Sequence, residues 1–266
     1  MNEKESTALS INAERNEISL EENASDKVVT ALKAGLGMIP FVGSILQEAV
    51  GVVIPNQRTD RIVLMMECFA QKVSYIDEEV LRVKMLSEEF TDLLQDAVPQ
   101  AARSLSEERR EYIASFLKNS LTSTELDHIY EKKLLSILGE LNDAEIIFLR
   151  YESLREHEKH GFSEQHQVVL LSSRAAIGNP RAEHDKNALR NSFQEKLFGL
   201  GLLERRFKRP QFGKFPEMDE NTGMIKSQYT VLSQLGGLLL RYIDQPSSND
   251  KAEDNLLAQK QKIADS

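Results

Sequence analysis

His157 and His160 stand three residues apart around Glu158 and Lys159. That is one residue short of the H-E-x-x-H spacing that sets two imidazoles one helical turn apart around zinc. A pair at i, i+3 can still hold a metal, but no third ligand accompanies it, and a solvated helix end is the simpler account. Gly35-x-Gly37 resembles the start of a phosphate loop, yet Pro40 occupies the third glycine position and no strand precedes it. No Gly-Lys-Ser/Thr follows anywhere, and there is no G-x-S-x-G nucleophile motif. Cys68 is the only cysteine, which excludes an internal disulfide and a cysteine-based metal site. It lies beside an apolar stripe, where a thiol packs and stays inert. The acidic pairs Glu78/Glu79 and Glu88/Glu89 belong to the solvated side of a helix. The expectation is a non-enzymatic protein with no cofactor and no metal.

The residues that can do chemistry are those that bind. Residues 181–214 hold nine bases and four acids, a local +5 in a chain of net charge −9, so the remainder carries −14. A helix expected over 185–200 presents Lys186, Asn187, Arg190, Asn191 and Gln194 opposite Leu189, Phe193, Leu197 and Leu200. Those polar types can contact base edges and phosphates. Arg205, Arg206, Lys208, Arg209 and Lys214 follow, where they would flank a wing. The acidic remainder argues against a general nucleic-acid coat, so a protein-binding surface stands as the alternative.

A second binding candidate is the apolar run at residues 34–57, whose only formal charge is Glu48 and which four glycines and two prolines interrupt. It approaches the roughly 20 residues of a membrane-spanning helix, but Pro40 splits it. Two readings stand: a hairpin buried in a helical core, or one that leaves the core and engages a membrane or a partner through Met38, Ile39, Phe41, Val42, Ile45 and Leu46. Glu48 at a bilayer centre would cost about 2.5–3.5 kcal/mol.

The elements that must position these residues are mostly helices. With 266 residues, 41% of them hydrophobic, the chain can bury one large core or two modest ones. Ile62, Met66, Phe69, Val73, Ile76, Val80, Val83, Ser87, Phe90, Leu94 and Ala97 recur at alternating four- and three-residue steps. The stripe predicts one helix about 50 Å long that Pro99 closes. Its apolar flanks favour a bundle over an isolated coiled coil. Capping-box spacing at Ser104/Glu107, Thr122/Glu125 and Asn142/Glu145 predicts three further helix starts, the last running toward Gly161 with Leu141 and Ile146 as a staple. An apolar helix is expected through residues 168–171, then the helix over 185–200 with Gly199 and Gly201 at its C-cap. Two β-prone runs, 202–207 and 225–232, lead to a helix capped by Ser233. Residues 1–27 and 246–266 read as solvated, disordered tails, the first of them acidic. The domains expected are a helical one at 28–140 and a second at 141–245.

LFGLGLLERR followed by QYTVLSQLGGLLLRYI resembles the ending of winged-helix domains, with Leu-Ser-x-Leu-Gly at 232–236 its most specific part. The linker over 174–184 and the loop over 208–224 are both long for that fold. The whole chain also resembles bacterial abortive-infection alpha-type proteins, through GMIPFVGSILQEAVGVVIPNQR, the helix from Arg58 and the region ending at Ile243. That resemblance implies bacterial origin and a role in phage defence, and carries over no catalytic residue. The fold expected is mainly α: an N-terminal helical bundle with one long helix and a Gly/Pro-broken apolar hairpin, then a winged-helix-like domain. The function expected is that of a cytoplasmic interaction or effector protein, peripheral to the inner membrane if the hairpin engages it. A DNA-binding regulator is the alternative. A protein, a membrane, nucleic acid and a second copy through the long helix are the partners considered.

Overall fold

The computed structural model describes residues 56–123, 126–170, 181–208 and 225–250, with Pro210, Phe212, residues 215–219, Gly223 and Ala252. Within them the chain is mainly helical, with one two-stranded antiparallel sheet. It divides into two compact units, Met1–Ser136 and Ile137–Ser266.

In the first unit, α1 (Asn56–Val73) packs against α3 (Glu88–Arg103) and α4 (Glu107–Thr122), and α2 (Glu78–Met85) packs against the same two helices. Ile62, Met65, Met66, Phe69 and Val73 form the buried stripe of α1 at helical spacing. They meet Leu81 and Met85 of α2, Phe90, Leu93, Leu94 and Ala97 of α3, and Ile113, Phe116 and Leu117 of α4 in the unit's core. The Phe69 and Phe90 rings stack with centroids 6.0 Å apart. The start of α5 (His128–Glu140) is tied to α3: Asp92 takes Lys132 Nζ at 2.8 Å and the His128 ring at 2.8 Å. The lysine first, and then the histidine, hold the Asp92 carboxyl below the usual aspartate range.

The single long helix expected across the heptad stripe is instead three helices. Asp77 Oδ1 accepts the backbone N–H groups of Glu79 and Val80 at 3.1 and 3.2 Å, and Ser87 Oγ accepts that of Phe90 at 3.2 Å. Each side chain satisfies orphan donors of a new helix start, so the chain breaks where the apolar spacing runs on. The breaks rotate the stripe. Ile76 is half-buried in the turn, while Val80 and Val83 are 49% and 64% exposed. Pro99 does not close α3, which continues to Arg103. Burial of Val98, Ala101 and Ala102 offsets the missing hydrogen bond there. The cap of α4 is Ser106, whose Oγ accepts Arg109 N–H at 3.2 Å, not Ser104, whose hydroxyl turns back to the Gln100 carbonyl. Thr122 ends α4 and does not open α5.

In the second unit, α6 (Asp143–Glu152) is central, packed by α7 (Glu156–Gln165), α8 (Gln167–Leu170), α9 (Arg181–Gly199) and β2 (Ser227–Leu232), while β1 (Leu203–Phe207) packs on α9. The Asn142/Glu145 box is formed in both directions: Asn142 N–H donates to Glu145 Oε2 at 2.7 Å and Glu145 N–H to Asn142 Oδ1 at 2.9 Å. Leu141 and Ile146 are buried beside it. The helix expected to run to Gly161 stops at Glu152, and α7 begins after Arg155, whose N–H donates to Glu158 Oε2 at 3.0 Å. The apolar helix expected near 168–171 is the single turn of α8, with Leu170 buried and Val168 fully exposed. Residues 246–250 are not a loose tail: Ser247 and Ser248 are buried, and Ser248 N–H donates to the Ser153 carbonyl at 3.2 Å.

Phe69→Ala should lower the unfolding free energy by about 3–5 kcal/mol through the cavity it leaves. Val83→Ala, on the exposed side of α2, should change it by less than about 0.5 kcal/mol. Denaturant titration of the two variants distinguishes the broken stripe from a continuous one, which would make both costly.

Candidate nucleic-acid interface

The basic region is built from the end of α9 outward. Gly201 has φ 72°, a left-handed conformation that closes α9: Leu202 N–H donates to the Leu197 carbonyl and Gly201 N–H to the Phe198 carbonyl, both at 3.0 Å. This turn aims the chain into β1, with Leu202 just before it and Leu203 at its start both buried. β1 pairs with β2 in the register Leu203–Leu232, Glu204–Val231, Arg205–Thr230 and Arg206–Tyr229. The register slips at Arg206/Phe207, so Phe207 faces Ser227, and such a bulge bends and twists the outer hairpin.

Ser233 ties the returning strand to the same turn. Its N–H donates to the Leu202 carbonyl at 3.1 Å and its hydroxyl to the Gly201 carbonyl at 2.6 Å. Its Oγ also accepts Gly236 N–H at 2.9 Å, which caps α10 (Gln234–Tyr242). A Cβ at Gly236 would lie 2.3 Å from the Leu202 carbonyl oxygen, so the glycine is required for this approach. The distal hairpin is closed again by the Met218–Ile225 bridge and by Lys226 N–H donating to the Glu217 carbonyl at 2.8 Å.

The two faces of the hairpin differ, because successive strand residues point to opposite sides. On one, Leu203 is buried and the Arg205 guanidinium lies 3.7 Å from the centroid of Phe198 and pairs with Glu195. On the other, Arg206 stands opposite Tyr229, which is 56% exposed. Arg206 pairs with Glu204 at 3.0 Å and Lys208 with Glu217 at 3.9 Å, all four side chains being solvent-exposed. Phe207, Met218 and Ile225 are about half exposed, and Phe212 and Phe215 fully so. Exposed rings interleaved in sequence with cations make this hairpin the candidate binding surface of the unit.

The helix before it contributes less than its sequence suggests. Lys186 and Asn191 are exposed and Gln194 is half-buried. Arg190, expected to face outward, is turned in: its guanidinium carbon lies 5.3 Å from the centroid of the buried Phe148 ring. One of its terminal nitrogens is buried without a hydrogen-bond partner. Burial pushes its pKa down against the opposing influence of Tyr151. Leu189, expected on the buried face, is 60% exposed. The exchange has a steric reason: Phe148 meets Phe193 at 6.2 Å and Arg190 one turn earlier, so the inward face of α9 passes through 190, 193 and 197. Lys196 is also taken internally, 3.0 Å from the carboxylate of Glu145, which is 2% exposed.

Arg209 and the apolar segment with Met38, Ile39, Phe41, Val42, Ile45 and Leu46 lie outside the described residues. Among the described residues no group of three or more His, Cys, Asp or Glu side chains could hold a metal ion, and no helix is long and apolar enough to cross a membrane. Sequence reasoning passed over Phe207, Phe212, Phe215 and Tyr229. The signal was present in RRFKRPQFGKF, where phenylalanines alternate with bases and no acid intervenes. Comparison of the chain with protein-family models, curated proteins and solved structures yields no match.

Two substitutions test this geometry. Gly236→Ala should cost about 1–3 kcal/mol, as overpacking against backbone does, seen as a lower thermal midpoint. Arg190→Met should be neutral or stabilising by about 1 kcal/mol, since it removes a buried unpaired donor while keeping contact with Phe148. A large loss of stability in Arg190→Met would show that the guanidinium is paired.

Proposed function

We propose that this is a non-enzymatic interaction protein whose C-terminal unit binds nucleic acid through the β1–β2 hairpin. The observation that carries the reading is the outer hairpin itself, with Arg206, Lys208 and Lys226 set among exposed rings. The order α9, β1, long loop, β2, α10 supports a winged-helix-like arrangement in which the hairpin takes the place of the wing. In this reading the wing makes the contact and α9 serves as its support. Arg190 and Lys196 are engaged inside the unit, and the exposed Lys186 shares its helix with the exposed acids Asp185 and Glu195.

The ion pairs at Arg206 and Lys208 do not oppose this role. Exposed pairs contribute about 0–1 kcal/mol and are screened by salt, so a phosphate can displace either carboxylate. The acidic remainder of the chain confines contact to the hairpin. An effector role in phage defence through residues 34–57 rests on sequence resemblance alone.

Binding of labelled DNA should fall steeply with salt, because each neutralised phosphate releases counterions. Arg206→Ala and Lys208→Ala should each weaken binding and each reduce the slope of log K against log salt by about 1. Arg190→Met should leave both affinity and slope unchanged. No binding at low salt, or full affinity in the Arg206→Ala/Lys208→Ala double variant, would overturn the assignment.

A further inference from the structure

We propose that the hairpin takes single-stranded nucleic acid in preference to duplex, with Phe212, Phe215 and Tyr229 stacking on unpaired bases; the inference rests on the nucleic-acid reading above. Phosphate contacts alone need only the cations, and they leave the rings unexplained. Phe212 and Phe215 are fully exposed, and Phe207 and Tyr229 are 50% and 56% exposed. A duplex keeps its bases stacked within the helix, whereas a single strand offers base faces that pair well with aromatic side chains of any sequence context.

The register places the parts together. Arg206 and Tyr229 are directly opposed in the antiparallel ladder, so they share one face with Cβ atoms about 4.5–5.5 Å apart. A base on Tyr229 therefore has a cation beside it for an adjoining phosphate. The opposite face is not open in this way, because Arg205 covers Phe198 there and is paired with Glu195. Phe207, the last residue of the ladder, is half exposed on the face opposite Arg206. An anionic membrane would favour a continuous apolar cap, which the acids Glu204, Glu217 and Asp219 interrupt.

The test uses the full chain and a labelled oligothymidylate, its duplex with oligoadenylate and vesicles containing phosphatidylserine, all at low salt. The oligothymidylate should bind about tenfold or more tightly than the duplex, and Phe212→Ala/Phe215→Ala should lower its affinity by about tenfold or more. Phe212→Leu/Phe215→Leu, which keeps apolar area but not the ring, should show most of the same loss. Duplex binding should be little changed in either variant. Both substitutions are on exposed side chains, and an unchanged thermal midpoint confirms the fold. Equal affinity for strand and duplex, or full strand affinity in the double variants, overturns the stacking inference while the nucleic-acid reading stands. Vesicle binding without binding to either nucleic acid overturns both.

Discussion

The approach of Gly236 to the Leu202 carbonyl oxygen is the contact on which the geometry of the β1–β2 hairpin depends. A side chain at 236 would collide with backbone at 2.3 Å, and backbone cannot yield as a flexible side chain can. With only hydrogen there, Ser233 reaches the Gly201 and Leu202 carbonyls and caps α10 at the same time. The end of α9, both strands of the hairpin and the start of α10 are thereby fixed to one turn. The root of the hairpin is buried at Leu202, Leu203, Ser233 and Gly236, while the rings of its outer half are exposed.

The charges of the C-terminal unit divide by what they touch. Lys196 neutralises Glu145 inside the unit, where an unpaired carboxylate would be strongly unfavourable. Arg190 lies on Phe148 and Arg205 on Phe198, so each contributes packing through a flat cation over a ring. Among the described residues, Arg206 and Lys208 pair with the exposed carboxylates of Glu204 and Glu217. A local +5 over 181–214 is therefore not +5 of available charge. Among the described cations of this stretch, Arg206 and Lys208 are exposed on the hairpin, and Arg181 and Lys186 on α9.

The first unit shows how little separates one helix from three. Ser87 falls on the apolar periodicity and Asp77 directly follows its position 76, and each supplies an oxygen that a new helix start requires. Once the chain turns at 74–77, the positions that continue the heptad point elsewhere. Val80 and Val83 are left on the outside of α2, while Leu81 and Met85 take the inner face.

Local chemistry was legible in the sequence wherever the deciding atoms lie a few residues apart. The Asn142/Glu145 box, the C-cap at Gly201, the Ser233 cap and both strands could be read that way, because caps, turns and β-branched runs act over one turn or one strand. The mainly helical class followed from apolar periodicity. Tertiary structure decided what depends on distant partners: that Arg190 rests on Phe148, that Leu189 faces solvent, and that residues 246–250 pack against Ser153. It also decided that Phe212 and Phe215 remain exposed. A phenylalanine carries the same apolar surface in a core or on a loop, and only the presence or absence of neighbours to cover it separates a packed ring from an exposed one.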